Sequence, residues 1–274
     1  MENPEKVEVT EDIRQSPEYG RFMEKIGWKT VHPGGVQMFV RKLGPVGIAK
    51  MQRARLPQSW KEIDKVVRNE RVFMLKIEPN DVGRLPEDYK QDAWPLLGTK
   101  TLRINLRLSE DEVMARFKKD CRYSIRQVMS GKPQIALNEF DRFYEIWRKS
   151  ANRKNLWIPS FENYQGLIES FGNKCFGVTI DDAAGAVILM HKETAFYYYA
   201  GATKDGNRLN LPYLVVWEAM REAKRRGCRV WDFEGVFDER WPNKGWRGFS
   251  HFKKEFGGVE VEYPGCFVKW RLPL

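Results

Sequence analysis

The feature that most constrains the fold is an amphipathic segment at residues 210–227, which runs directly into a segment of strand character. The first segment is NLPYLVVWEAMREAKRRG, and Gly227 stands where a glycine commonly ends a helix. Its apolar residues recur at the spacing of one helix face: Tyr213, Val216, Trp217 and Met220. The second segment is CRVWDFEGV, whose branched and aromatic residues are typical of a buried strand. Such a helix–strand unit predicts a layered α/β fold.

Similar units alternate along the rest of the chain and predict two α/β cycles with mixed sheets flanked by helices. The first cycle covers residues 1–108 and ends with the strand TLRINLRL, and the second covers residues 109–258. A final strand pair, within residues 259–274, is expected to return to the first cycle. The fold class predicted is therefore α/β, also describable as α+β, with two domains.

Three local patterns carry more specific predictions. A capping box formed by Ser109 and Glu112 starts a helix that the pattern continues to Gly131. In the strand AFYYYAGA, simple alternation puts Tyr197 and Tyr199 on one face and Tyr198 on the other. The stretch GWRGFSHFKKEFGG, residues 245–258, fits either a strand or a helical turn.

The composition limits the function classes. The 274 residues carry a net charge of +10, which favours a polyanionic partner over the alternative of a merely basic surface. The four cysteines form no CxxC pair and the chain has only three histidines, so we expect buried thiols and no metal site. GxSxG, HExxH, Walker and GxGxxG motifs do not occur, and no cofactor is expected.

The N-terminal stretch MENPEKVEVTEDIRQ is polar and acidic and lacks the apolar region of a signal peptide. The longest apolar runs, GAVILM and LPYLVVW, are much shorter than a membrane span. These features predict a cytoplasmic protein without a transmembrane segment. Peripheral contact with a membrane surface stays open.

Two basic clusters are candidate phosphate-binding surfaces. On a helix, Lys119, Arg122 and Arg126 share one face, which is either a phosphate clamp or an ordinary solvated face. Arg225 and Arg226 crowd the end of the amphipathic helix, where interaction with the helix dipole is a sufficient structural reason for them.

The stretch at residues 245–258 sets two lysines among phenylalanines. In a helical turn, Lys253 lies beside the apolar face with Phe249, Phe252 and Phe256, whereas a strand sends Lys253 and Lys254 to opposite sides. A lysine shielded by apolar groups interacts more strongly with a developing oxyanion or a phosphate than one in bulk water. The helical alternative therefore favours Lys253 as the functional lysine.

Several ordered segments together resemble the Fem family of tRNA-dependent aminoacyl transferases, which build peptidoglycan interpeptide bridges. They are SPEYGRFMEKIGW, RYSIRQV, SANRKN, YYYAGATKDGNRLNLPYLVVWEAMREAKRRG, VWDFEGV and GFSHFKKEFGG. The resemblance spans nearly the whole chain and is most specific from Tyr197 to Gly258. It implies two domains similar to GNAT acetyltransferases, with the C-terminal strands completing the first domain. Some members carry a coiled-coil arm, which is not expected in this chain.

The resemblance also implies a reaction and residue roles. An amine of a cell-wall peptide precursor attacks an aminoacyl-tRNA ester, giving an amide and free tRNA. Lys253 matches a lysine that stabilises negative charge, and Phe252 walls the site. The implied substrate-binding residues are Tyr199, Tyr213, Arg153, Tyr164, Lys76 and Lys29. The implied tRNA-binding residues are Lys119, Arg122, Arg126, Arg225 and Arg226.

Departures from the family pattern leave the acceptor open. At positions where members that use a UDP-linked muropeptide carry phosphate-binding basic residues, this chain has His32, with Lys29 nearby, and Ile158. Glu234 stands where a glycine is usual. The acceptor can be UDP-linked, lipid-linked, another peptide or a small amine.

Two other function classes remain. An acyl-CoA-dependent N-acyltransferase of the GNAT type needs a Gly-rich turn before a helix to hold the pyrophosphate, and the corresponding segment KDGNRLNLP lacks it. A non-catalytic RNA-binding protein predicts RNA retention that does not depend on Lys253.

Overall fold

The protein is described by a computed structural model, which covers residues 11–242 and 244–271. The helices in this part of the chain are α1 (Pro17–Lys25), α2 (Lys61–Asn69), α3 (Glu110–Ala115), α4 (Lys119–Ser130), α5 (Phe140–Arg153), α6 (Phe161–Phe171), α7 (Lys204–Arg208), α8 (Leu211–Arg225) and α9 (Arg247–Lys254). The strands are β1 (Lys29–Val31), β2 (Met38–Leu43), β3 (Val46–Ala54), β4 (Val72–Pro79), β5 (Lys90–Asp92), β6 (Lys100–Asn105), β7 (Ile135–Leu137), β8 (Cys175–Ile180), β9 (Ala184–His191), β10 (Thr194–Ala202), β11 (Val230–Asp232), β12 (Val259–Glu262) and β13 (Cys266–Trp270). The first ten residues, which begin the acidic N-terminal stretch, lie outside the described range.

Two mixed sheets flanked by helices confirm the predicted fold class. The first sheet has the order β1-β2-β3-β4-β13-β5, and only its β3–β4 pair is parallel. The second has the order β12-β6-β11-β10-β9-β8-β7, with β10 and β11 parallel. No helix in the described ranges is long and apolar enough to cross a bilayer.

Two strands lie in a different sheet from the one that the sequence predicts. The segment TLRINLRL was assigned to the first cycle, but its strand β6 pairs with β11 and β12 in the second sheet. Of the C-terminal strand pair, β13 joins the first sheet and β12 the second. The sheet that a strand joins depends on pairing partners that are distant in the sequence. The pattern of a single segment does not reveal these partners. The domain boundary at residue 108 stays a prediction.

The helix predicted from Ser109 to Gly131 is broken into α3 and α4. Its start is correct, because Ser109 and Glu112 form the capping box. Lys118 is extended, with φ −62° and ψ 158°, and its N–H donates to the Glu255 carbonyl at 2.8 Å. The break buries Phe117, whose ring lies 5.2 Å from that of Phe256. Tertiary packing against α9 therefore overrides the local helical pattern.

A shared core joins the two sheets. It packs Tyr19 and Phe22 of α1 and Phe39 of β2 against Tyr164 and Leu167 of α6. The first-sheet face that carries Phe39 therefore faces the second half of the chain.

Candidate functional site

The stretch GWRGFSHFKKEFGG forms the helix α9, so the helical alternative is correct. Ser250 fixes it to the preceding loop: its Oγ donates to the Trp246 carbonyl at 2.6 Å and accepts from the Phe237 N–H at 2.6 Å. On the same helix, Lys253 Nζ lies 5.1 Å from the centre of the Phe249 ring. The apolar face that the sequence predicts around Lys253 is present.

Lys253 is held by the turn that follows β11. Its Nζ donates to the carbonyls of Phe233, at 2.7 Å, and Gly235, at 2.6 Å. Burial lowers the pKa of this ammonium to about 8, although the nearby carboxylates of Glu234 and Asp232 act in the opposite direction. Two hydrogen bonds to carbonyls leave the third N–H of the ammonium for a substrate.

Lys254 is bound differently. Its Nζ pairs with Glu260 at 2.6 Å, and 43% of its side chain is exposed. An ion pair this exposed contributes little to stability. The structure therefore separates the two adjacent lysines as the helical alternative predicted.

The turn that receives Lys253 is rigid. Asp232 accepts hydrogen bonds from the Thr101 hydroxyl at 2.5 Å, from Arg103 Nε at 2.8 Å and from the Glu234 N–H at 2.8 Å. Glu234 has φ 70°, a conformation that glycine adopts more readily. Its two carboxylate oxygens accept hydrogen bonds from the two terminal nitrogens of Arg14. A buried bidentate ion pair thus fixes a left-handed backbone conformation at Glu234.

Phe252 and Tyr213 stand together beside Lys253. The Tyr213 ring, at the first turn of α8, lies 4.9 Å from Phe252 and 5.8 Å from Phe256. Both Phe252 and Tyr213 are only partly buried. They give the surface near the lysine an aromatic wall.

The three tyrosines of β10 do not alternate as predicted. A bulge between Tyr197 and Tyr199 shifts the register against β9. Tyr197 packs into the core on the α9 side, 6.0 Å from Lys253 Nζ, whereas Tyr198 and Tyr199 both pack against the core between the sheets. The Tyr199 ring lies 4.2 Å from that of Trp147. Of the three tyrosines, Tyr197 is therefore the one that faces Lys253, which simple alternation did not predict.

Tyr164 and Arg153 make backbone contacts. Tyr164 is fully buried, and its hydroxyl donates to the Phe140 carbonyl at 3.0 Å, which fits a packing role in α6. Arg153 is exposed, and its NH2 donates to the Ala202 carbonyl at the end of β10, at 3.2 Å. Of the two, Arg153 is the one whose side chain a substrate can reach.

Lys29 and Lys76 lie on the first sheet and are both paired. Lys29, on edge strand β1, pairs with Glu70 at 2.5 Å. Lys76, on β4, pairs with Asp92 at 2.7 Å and donates to the Trp94 carbonyl at 3.0 Å. The strands β1 and β4 are three positions apart in the sheet, about 14 Å, so the two lysines do not form one cluster.

The basic residues of α4 have different partners. Arg122 donates to the carbonyls of Phe117 and Ala115 and so caps the end of α3. Lys119 and Arg126 are exposed, as is Tyr123 between them, and neither cation forms an ion pair with any residue of the described ranges. The accessible basic surface of α4 is therefore Lys119 and Arg126, flanking an aromatic ring.

Arg225 and Arg226 lie far from the Lys253 site. Both pair with Glu222, at 2.9 Å and 2.6 Å. Twelve residues of α8 separate Arg225 from Tyr213, which corresponds to about 18 Å. The two guanidinium groups share one carboxylate at the opposite end of α8 from the aromatic wall.

A pocket of about 720 Å³ opens beside α9. Residues 91–99 and the loop between β11 and α9 line it, including the tryptophans Trp94, Trp241 and Trp246. The Trp246 ring lies 5.3 Å from Phe249, which in turn underlies Lys253. The aromatic surface of the pocket thus continues to Lys253. These tryptophans lie in two loops without a periodic pattern, so no signal for the pocket is present in the sequence.

Lys50 is a further residue that sequence reasoning missed. It pairs in register with Phe39 on one side and Lys76 on the other, on the face of the first sheet that carries Phe39. Its Nζ lies 4.9 Å from the Trp28 ring. Burial, with a smaller contribution from Arg14, lowers the pKa of Lys50 to about 8, and Glu78 opposes the shift. The signal in the sequence was a lysine between Ile48 and Gln52 on the inward face of β3.

Comparisons with known proteins agree with the earlier resemblance. A family model described as FemAB family matches residues 177–274. No protein of curated function matches the sequence. The crystal structure of FemX has a TM-score of 0.75 and 12% identity, covering 95% of this chain and 92% of that chain.

Two other solved structures share the fold at lower similarity. L-PGS from Bacillus licheniformis has a TM-score of 0.59 and 12% identity, with 97% of this chain and 94% of that chain covered. A tandem GNAT protein from the clavulanic acid biosynthesis pathway has a TM-score of 0.52 and 9% identity, with 88% and 80% covered. Residues 177–274 thus carry the FemAB family pattern, and the chain has the fold of FemX, which confirms the resemblance.

Proposed function

We propose that this chain is an aminoacyltransferase that moves an amino acid from aminoacyl-tRNA to an amine of a cell-wall peptide precursor. The observation that carries the proposal is Lys253, a buried ammonium with one uncommitted N–H, set in an aromatic wall within the FemAB-matching residues. We propose that the reaction takes place in the cytoplasm.

The reaction needs alignment more than a strong nucleophile. The acceptor nitrogen attacks the ester carbonyl, and the resulting tetrahedral oxyanion lies beside the Lys253 ammonium. Collapse of this intermediate breaks the bond to the ribose oxygen. The proton lost by the amine ends on that oxygen, so the products are an amide and free tRNA. The ester is already activated, and a catalytic triad is unnecessary.

Each surface around Lys253 has a proposed role. Phe252 and Tyr213 shield the ester from water, and Tyr199 and Arg153 border the acyl group and acceptor. The tryptophan-lined pocket receives the 3′-terminal nucleoside, because its rings offer stacking surfaces and its volume is typical of a small-molecule site. Lys119 and Arg126 hold backbone phosphates of the acceptor stem, which position the RNA without reading its sequence.

Acyl-CoA-dependent transfer is the second candidate, favoured by the fold shared with a tandem GNAT protein. The start of α8 argues against it. Pro212 occupies the first turn of this helix and has no N–H to donate to a pyrophosphate, and Asn210 before it has φ 57°.

The test is incubation with a pool of charged tRNA and, separately, with acetyl-CoA, each with candidate peptide precursors, followed by mass spectrometry of the peptides. The proposal predicts a mass increase of one amino-acid residue with charged tRNA. An acetyl increment with acetyl-CoA alone would favour the second candidate.

A further inference from the structure

The loop between α5 and α6 presents two large apolar side chains to solvent. Trp157 is 84% exposed, and Leu156 beside it is 60% exposed. Scattered single apolar side chains are ordinary on a protein surface, whereas adjacent ones indicate a surface that another body covers. These two residues form the tip of the loop.

The tip is exposed although the loop around it is anchored. The N–H of Leu156 donates to the Ala151 carbonyl at 2.9 Å, and the Tyr144 hydroxyl donates to the Pro159 carbonyl at 3.0 Å. Between these two anchors, Ile158 is partly buried and packs against the core that joins the two sheets. The fold therefore buries one apolar residue of this loop and holds its two larger neighbours outside.

Three cations flank the tip. Lys149 and Arg153 are four residues apart on α5 and so share one face of the helix, and Lys154 follows directly. All three are exposed, and none forms an ion pair with a residue of the described ranges. From Lys149 to Glu162 the chain carries one acidic residue, which is Glu162 itself. Arg153 and Trp157 are four residues apart, so about 14 Å of extended chain is the most that separates their Cα atoms.

This combination fits a lipid surface better than a protein or an RNA. A stable protein interface covers about 800 Å² of each partner and is poor in lysine, whereas the tip is two residues long and bordered by lysines. An RNA base can stack on Trp157, but Leu156 has no flat face to offer it. Tryptophan and leucine enter the interfacial layer of a bilayer, and nearby lysine and arginine side chains attract anionic headgroups.

We propose that the loop between α5 and α6 docks the protein onto an anionic lipid surface. Leu156 and Trp157 enter the layer between headgroups and acyl chains, and Lys149, Arg153 and Lys154 contact headgroup phosphates. The docking is peripheral and reversible, because two side chains bury little apolar surface. It requires neither tRNA nor an acceptor peptide, so it does not depend on the proposed function.

The test is co-sedimentation of the full chain with vesicles of phosphatidylcholine alone and with vesicles of equal parts phosphatidylcholine and phosphatidylglycerol. The wild type should bind the mixed vesicles at least tenfold more tightly than the neutral ones. Leu156→Ser/Trp157→Ser should lower the affinity for mixed vesicles at least tenfold, and Lys149→Ala/Lys154→Ala should lower it about tenfold and weaken its salt dependence.

A matched control separates the tip from the general basic charge of the protein. Val82→Ser/Trp270→Ser removes an exposed aliphatic side chain and an exposed tryptophan at other places, and should bind vesicles as the wild type does. Circular dichroism and the melting temperature should be the same for all variants, because the substituted side chains are exposed. Vesicles that contain brominated phosphatidylcholine should quench the fluorescence of the wild type more than that of Trp157→Phe, since only the wild type has a tryptophan in the bilayer at this position.

Several results would overturn the proposal. They are equal binding of the wild type and Leu156→Ser/Trp157→Ser to mixed vesicles, an equal loss in the matched control, and equal quenching of the wild type and Trp157→Phe. Sedimentation velocity without vesicles tests for a protein partner of the same sequence. A dimer that Leu156→Ser/Trp157→Ser dissociates would assign the tip to an interface between copies of the chain and reject the lipid surface.

Discussion

Lys253 and Glu234 are joined through the backbone of one turn: the lysine ammonium donates to the carbonyls of the residues immediately before and after Glu234. Glu234 itself is anchored by Arg14, from the segment that precedes α1. The position of the proposed catalytic ammonium therefore depends on an ion pair between residues 220 positions apart in the chain.

Breaking this ion pair should destabilise the protein. Glu234→Gly relieves the left-handed backbone but leaves the buried Arg14 with Asp12 as its carboxylate partner, so we expect a net loss of about 2 kcal/mol in the free energy of unfolding. Urea denaturation measures it. The double variant Arg14→Met/Glu234→Gly should recover part of the loss. Additive losses in the double variant would mean that the two side chains do not act as a pair.

The pH profile of transfer should report the lowered pKa of Lys253. Because burial lowers that pKa to about 8, the ammonium form is lost as pH rises through 8, and the single-turnover rate should then fall up to tenfold per pH unit. At lower pH the single-turnover rate should increase with pH, because the acceptor amine attacks only when it is neutral. The rate of spontaneous ester hydrolysis, measured without enzyme, is subtracted. A rate that keeps rising to pH 10 would show that the ammonium form is not needed.

The exposed face of α4 should contribute to tRNA affinity. Lys119→Ala with Arg126→Ala removes two uncompensated cations, and the slope of log affinity against log salt should fall by about 1.4–1.8. Arg122→Ala is the matched control: its guanidinium is bound to the carbonyls of Phe117 and Ala115, so its loss should cost about 1 kcal/mol of stability and leave the slope nearly unchanged. Filter binding at several salt concentrations distinguishes these outcomes. An unchanged slope in the double variant would mean that this face of α4 is an ordinary solvated surface that does not bind phosphates.

The tryptophan-lined pocket should affect tRNA binding more than chemistry. The Trp94 side chain is 77% exposed, so Trp94→Ala should fold normally. Loss of one stacking surface, worth about 1–3 kcal/mol, should raise KM for charged tRNA at least fivefold with little change in kcat. Trp270→Ala removes another exposed tryptophan, on β13, and should leave both constants unchanged. Equal effects of the two substitutions would exclude a specific role for the pocket.

Local signals predicted the parts of the fold that local interactions determine. Ser109 caps a helix as expected, because a side chain and an N–H three residues later suffice for a cap. The four cysteines are buried free thiols, as predicted.

Features that depend on distant partners were not predictable in this way. The bulge at Tyr198 depends on how β10 registers against β9, and the break before α4 depends on Phe117 packing against α9. Lys50 looked ordinary because its environment is built by Trp28, by Arg14 and by the second half of the chain. Within the candidate site, the sequence predicted best the surroundings of Lys253 and Phe252, because helical spacing within one short segment determines them.

The most direct test of the central claim is the single-turnover rate of aminoacyl transfer for wild type, Lys253→Met and Lys254→Met, under conditions in which circular dichroism shows all three folded. The account predicts a loss of at least a hundredfold for Lys253→Met, because the charge facing the oxyanion is removed, and a change of less than twofold for Lys254→Met, whose lysine forms a surface ion pair with Glu260. A near-normal rate for Lys253→Met, or equal losses for both variants, would contradict it.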